Sequence, residues 1–206
     1  MQRRLLIATT NPAKLAEYRL LLRGLDLEVV SLADLGIADA PVETGDTFAE
    51  NAQIKARYYF ERARIPTLAD DGGLEIDALG GEPGVRSHRW LGAGGDDTDA
   101  ALVAEVMRRM AGVPAARRGA RIRAAIALIY ADGGEVRERI AEAAIEGVIG
   151  DHAYHEIRAG FPYRAVLYLP ERKCFLGELG DEAEAQTSQR RIALDSLRTD
   201  LERIAR

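Results

Sequence analysis

Residues 3–32 read RRLLIATTNPAKLAEYRLLLRGLDLEVVSL, and their pattern sets the fold class. A short apolar run leads into a polar turn, after which Leu15, Tyr18, Leu22 and Leu25 recur at the three- to four-residue spacing of a helix face. The strand-like LEVVSL follows. Asn11-Pro12 suits the helix start, because proline fits a first helical turn, and Gly24 marks a stop. The opening is therefore β-turn-α-β.

Working outward, residues 43–64 repeat the logic. Thr44 or Asp46 is a candidate cap, the helix runs from about Thr47 to Arg64, and Pro66 ends it. PTLADDGGLEIDALGGEPGV, residues 66–85, reads as a short strand followed by glycine-rich loops, with a sharp turn at Asp70-Asp71-Gly72-Gly73. Residues 96–113 read as a helix whose positive N-terminal end is favoured by Asp96 to Asp99. RIRAAIALIYADG and GEVRERIAEAAIEGVIG form two strands joined at Asp132-Gly133-Gly134, a hairpin. A shorter strand, YRAVLYLP, comes next. The closing SQRRIALDSLRTDLERIAR is amphipathic through Ile192, Leu194, Leu197, Leu201 and Ile204. Helices alternating with strands around a central hairpin predict an α/β (mixed α+β) fold with a twisted mixed sheet flanked by helices. No repeat or linker breaks the chain, so residues 1–206 are expected to form one domain.

The 206 residues carry a formal charge of −5, with 47% hydrophobic and 30% charged residues, which excludes disorder and collagen-like repeats. A lone Cys174 cannot form an internal disulfide, and no signal-peptide pattern opens the sequence, so a cytoplasmic location is expected. No apolar run approaches the ~18 residues of a membrane span. The net negative charge argues against broad binding to nucleic acid or acidic membranes. Among the 28 basic residues only Lys14, Lys55 and Lys173 are lysine, which makes each lysine worth placing.

Three stretches can carry chemistry. In TTNPAK, residues 9–14, helix-start amides, the Thr9 and Thr10 hydroxyls, the Asn11 amide and Lys14 could gather phosphate oxygens. The same residues also describe a capped helix with a surface lysine, because the glycine spacing of a Walker loop is absent. In ETGDTFAENAQIKA, residues 43–56, Asn51 and Lys55 lie one turn apart, with Glu43 preceding the helix. That is either a placed lysine or a solvated helix face. In ADDGGLEID, residues 69–77, adjacent carboxylates suit Mg2+, which takes one or two carboxylates together with waters and phosphates. A carboxylate there could also deprotonate a water, although an Asp-Asp-Gly turn accounts for the same letters. His88, His152 and His155 share no metal-ligand spacing with cysteine.

Taken together, TTNPAK, ETGDTFAENAQIKA, DDGGLEIDALGGEPGVRS and the closing SQR resemble, in order and spacing, the inosine triphosphate pyrophosphatase (Ham1/RdgB-like) family, almost end to end. Thr10 stands for the family's first glycine and Gly72 for a serine. The resemblance implies two lobes around a cleft, a homodimer, and Mg2+-dependent hydrolysis of a nucleoside triphosphate such as ITP, dITP or XTP to the monophosphate and pyrophosphate. By position, Asp71 would be the general base and a metal ligand, with Asp70 and Glu43 helping to hold the ion. Lys14 and Lys55 would bind the phosphate chain with Thr9, Thr10 and Asn11. Gly72, Phe161, Tyr163, Ser188 and Arg190 would complete the substrate contacts.

Departures cluster in the second half. GFPYRA, residues 160–165, replaces a family G-F-G-Y-D-P, placing Pro162 for glycine and Arg164 for aspartate. Glu184 stands for a lysine and Gln189 for a histidine. Arg164 and Glu184 reverse two charges, which either compensate one another or change the substrate. From these departures the sequence predicts working hydrolysis with a weakened or altered purine preference. The alternative reading is a nucleotide-binding regulatory paralogue or silent subunit without turnover.

Overall fold

The computed structural model describes residues 3–92 and 97–206; Asp96 lies outside them. The elements are β1 (Arg3–Ile7), α1 (Pro12–Leu21), β2 (Leu27–Ser31), α2 (Phe48–Ala63), β3 (Thr67–Ile76), α3 (Asp99–Arg109), β4 (Gly119–Asp132), β5 (Glu135–Ile149), β6 (Leu167–Leu169), β7 (Cys174–Phe175), α4 (Asp181–Thr187), α5 (Gln189–Ser196) and α6 (Arg198–Ala205). The fold is α/β, with one mixed sheet of strand order β2-β1-β3-β4-β5-β6-β7. β1 pairs parallel with both β2 and β3, while β6 pairs antiparallel with β5 and β7. The ion pairs Arg123–Glu75 and Arg121–Asp77 put the end of β3 beside the start of β4, an antiparallel arrangement.

The chain divides into two compact units, each assembled from separate stretches. The first comprises 1–71, 124–143 and 190–206; the second comprises 72–123 and 144–189. In the first unit Leu5, Leu6, Ile7 and Leu68 are fully buried, as the continuous apolar runs of parallel strands require. Residues 124–130 of β4 are buried without interruption, and Tyr18, Ala52, Ala56, Leu194 and Leu201 are buried as well. The second unit has its own core, in which Leu74, Ile76, Leu102, Val106, Met110 and Val166 pack together.

Several local expectations hold. Asn11 caps α1 with proline in its first turn, and the hairpin turns through Gly133 and Gly134, both at positive φ as a tight two-residue turn demands. Others are corrected. The cap of α2 is Thr47 rather than Thr44 or Asp46, because Thr47 and Glu50 form a reciprocal capping box. Asp70 to Gly73 do not turn; they continue β3, which is ten residues long. The glycine serves close approach instead, since a Cβ on Gly73 would fall 1.9 Å from Ser87 Oγ, the group that accepts from the Leu74 N–H. Tyr163 to Ala165 form a 3₁₀ turn, which shortens the strand predicted there to Leu167–Leu169. The closing helix is broken at Leu197 into α5 and α6, and Ile192 is half exposed.

Candidate active site

β1 stops at Ile7, and the chain crosses into α1 through a turn that its own side chains satisfy. Thr9 Oγ1 accepts the Asn11 N–H at 3.1 Å, and Asn11 Oδ1 accepts the amides of Ala13 (2.9 Å) and Lys14 (3.2 Å). Asn11 is thereby a helix cap, and Thr10 is exposed. α1 buries Lys14 and Tyr18, one turn apart and so on one face.

Successive strand residues face opposite ways, and the ion pairs of β3 divide accordingly. Asp70 is 3% exposed. Its Oδ1 lies 3.3 Å from Lys14 Nζ, while its Oδ2 takes Arg190 Nε and Nη2, each at 2.9 Å. Arg190 reaches Glu17 Oε2 at 3.3 Å through Nη1. Asp71 Oδ1 instead meets Lys55 Nζ at 3.1 Å, and the same ammonium holds Glu43 Oε2 at 3.1 Å. α2 presents Lys55 one turn after the buried Asn51, whose Oδ1 accepts the Gly45 N–H at 2.8 Å and so anchors the loop that carries Glu43.

These seven charged groups sum to −1, three cations against four carboxylates. Burial alone would push the Asp70 carboxyl up, but Lys14 and Arg190 hold it well below the usual carboxylate range. Burial pushes the Lys14 ammonium down by more than Asp70 raises it. For Lys55 the balance reverses: burial lowers it, but Asp71 and Glu43 bring it above its ordinary value. Asp71 Oδ2 is buried without a hydrogen-bond partner. Among the described residues no three His, Cys, Asp or Glu side chains cluster as a ready metal cage, so Glu43, Asp70 and Asp71 are not a preformed triad.

In the second unit, the Arg164 guanidinium lies 3.6 Å from the centre of the Phe161 ring and 2.6 Å from Glu184 Oε1, with both Arg164 and Glu184 buried. Arg158 adds a second contact to Glu184, at 2.7 Å through Oε2. The two reversed charges are thus paired with each other. Tyr163 is buried and donates its hydroxyl to the Ser87 carbonyl. Ser188 and Gln189 are buried, and Gln189 Oε1 has no hydrogen-bond partner. Gly72 lies within β3.

Glu17 went unread in the sequence, and Tyr18 was read there only as part of a helix face. The available signal was spacing, since Glu17 follows Lys14 by three residues on a helix.

The chain matches the Ham1 family over residues 5–200. A dITP/XTP pyrophosphatase from Geobacillus kaustophilus is 40% identical over 200 residues, covering 97% of this chain and 95% of that protein. One from Thermus thermophilus is 39% identical over 194 residues, covering 94% and 89%. The solved structure of a HAM1 protein from Coxiella burnetii superposes with a TM-score of 0.82 at 33% identity, covering 98% of this chain and 99% of that one. A lysine- and carboxylate-bearing β1–α1 turn and β3 strand, matched end to end in sequence and in fold, make the chain a member of the Ham1 family.

Proposed function

We propose that this chain is a Mg2+-dependent house-cleaning hydrolase that cleaves non-standard purine nucleoside triphosphates of the dITP and XTP class to the monophosphate and pyrophosphate. The observation that carries the reading is Asp71, with one carboxylate oxygen fixed on Lys55 and the other buried and unpartnered. An oriented carboxylate with a spare acceptor is what removal of a proton from an attacking water needs.

The residues present fit a divalent cation. The orphaned Asp71 Oδ2 has unused acceptor capacity, and a cluster already at −1 would repel a substrate bringing several more negative charges. Asp71 and Glu43, which share Lys55, would hold the ion, with Asp70 behind them. One or two carboxylates together with substrate phosphates satisfy Mg2+, so no three-carboxylate cage is required. When bound, the ion supplies charge neutralisation along the phosphate chain.

The protein's own contribution is positioning and charge. Asp71 Oδ2 accepts the proton of the attacking water as its oxygen bonds to phosphorus. The phosphoanhydride bond to the departing pyrophosphate breaks, and its charge falls on Lys14 and Lys55. At an effective dielectric near 20, each close charge pair is worth roughly 4 kcal/mol, enough for two ammonium groups to decide how the phosphates lie. Thr10 is exposed in the turn that leads to Lys14, whereas the Thr9 and Asn11 amides are already donated to the Ile7 carbonyl and to Thr9 Oγ1.

Phe161, Tyr163, Ser188 and Arg190 remain assigned to substrate by resemblance. Because Arg164 and Glu184 neutralise each other, their exchange of charge favours retention of the relatives' substrate class over its replacement. We place the enzyme in the cytoplasm as a homodimer. A nucleotide panel assayed for pyrophosphate release with Mg2+, and again with EDTA, tests the reading. Selective, metal-dependent hydrolysis of dITP and XTP over dATP and dGTP is expected; nucleotide binding without pyrophosphate release would establish the regulatory alternative.

A further inference from the structure

The first unit carries a second basic cavity, of about 640 Å³, at the other end of its strands from Lys14 and Lys55. Arg3 and Arg4 come from the start of β1, Arg64 from the end of α2, and Arg203 from α6. Six residue steps, along β1 and just past its end, lead from Arg3 to Thr9, which sets the two sites roughly 20 Å apart. Among the described residues the one acid in the lining is Asp132, and its Oδ2 is already shared by Arg203 and Arg137 at 2.8 Å each. Arg4 has a distant partner in Glu28, at 3.9 Å. Arg3 and Arg64 have no carboxylate partner among the described residues. Arg203 is matched by Asp132 and lies in the field of Asp200, and Arg4 faces Glu28, so among the described residues Arg3 and Arg64 are the two lining guanidinium groups left without a carboxylate, in a chain whose net charge is −5.

Arg64 is also the C-cap of α2 at φ 55°, ψ 27°, a left-handed conformation in which glycine is the usual residue. A bulky side chain is kept where the backbone disfavours one, and that side chain lines the cavity. Ile65, Pro66 and Ile204 supply an apolar wall, and Tyr130 an aromatic one. A volume of this size matches small-molecule sites in general and exceeds what a single phosphate fills. Guanidinium forks match phosphate oxygens in pairs, and two free guanidinium groups beside a third that shares its carboxylate call for a phosphate chain rather than a monocarboxylate.

We infer that this cavity is a non-catalytic binding site for a small polyphosphate-bearing anion, either free pyrophosphate or the phosphate chain of a nucleotide. The test is calorimetric titration of the whole chain, in EDTA, with inorganic pyrophosphate and separately with a nucleoside triphosphate. Arg64→Gly is the decisive variant, because glycine relaxes the left-handed cap while removing the charge, so the fold is retained or strengthened. The expected result is binding at least tenfold weaker in Arg64→Gly and in Arg3→Ser, a melting temperature of Arg64→Gly unchanged or raised, and affinity that falls with salt. In the part of the titration that Arg64→Gly removes, saturation by pyrophosphate identifies the free anion as sufficient, and saturation by the nucleotide alone identifies the nucleoside as part of the ligand. Equal affinity in Arg64→Gly and the unaltered chain overturns the assignment, as does failure of the unaltered chain to bind either probe.

Discussion

Asp71 and Asp70 are adjacent in sequence and opposite in circumstance. Each keeps one buried oxygen without a hydrogen bond, but that of Asp70 faces the Lys14 ammonium at 3.3 Å while its other oxygen is clamped by Arg190, which favours Asp71 for the proposed proton-accepting role. Asp71→Asn keeps the shape and removes the base. Steady-state pyrophosphate release is expected to show kcat reduced by about 10²–10⁴-fold with KM little changed. A loss of less than tenfold would remove the general-base role. The pair Arg164 and Glu184 gives a second residue-scale test. Arg164→Met leaves the buried Glu184 carboxylate still paired with Arg158 and should cost about 1–3 kcal/mol in urea denaturation, less than the loss for a fully stranded charge, and adding Glu184→Leu should restore most of it. The lysines were legible because they are rare, and the aspartates because they sit in a recognisable motif. The clamp of Arg190 on Asp70 was not, since it joins side chains 120 residues apart.

At the scale of elements, α2 is held at its start by one reciprocal pair. Thr47→Ala removes the side-chain acceptor for the Glu50 N–H and should cost about 1 kcal/mol of stability, read from the chemical-denaturation midpoint. α3 offers a pH test. Hydrogen bonds from Arg108 and then Arg109 hold the Glu105 carboxyl down at about 2, against an ordinary 4.5. A depressed folded-state value means that its contribution is complete above about 4.5 and is lost as pH falls toward 2. Between pH 5 and 2 the denaturation midpoint should fall less steeply in Glu105→Gln than in the unaltered chain. Element positions were readable wherever one face repeats, as in α1 and the hairpin. They failed at β3 and at the closing helix. Two glycines after two aspartates spell a turn locally, and only Ser87, thirteen residues from Leu74, shows that they spell a close contact. The break at Leu197 falls within an unbroken apolar stripe, and no proline or glycine announces it.

For the whole molecule, the α/β class followed from short-range periodicity, while the grouping into two units did not, because each unit gathers stretches far apart in the chain. The proposed homodimer is checked by sedimentation equilibrium, which should return twice the chain mass of 22.5 kDa at micromolar concentration. A mass of one chain removes that part of the proposal. The discontinuous first unit also bears on biosynthesis. Asp70 leaves the ribosome 120 residues ahead of Arg190, a delay of about 6–24 s at ordinary elongation rates. For that interval the aspartate has Lys14 but lacks the second cation of its buried cluster, so the ion pairs of β3 are completed only late in synthesis. A prematurely terminated chain lacking Arg190 would carry Lys14, Lys55 and both aspartates with this buried cluster incomplete, which ties its completion to the last stretch of translation.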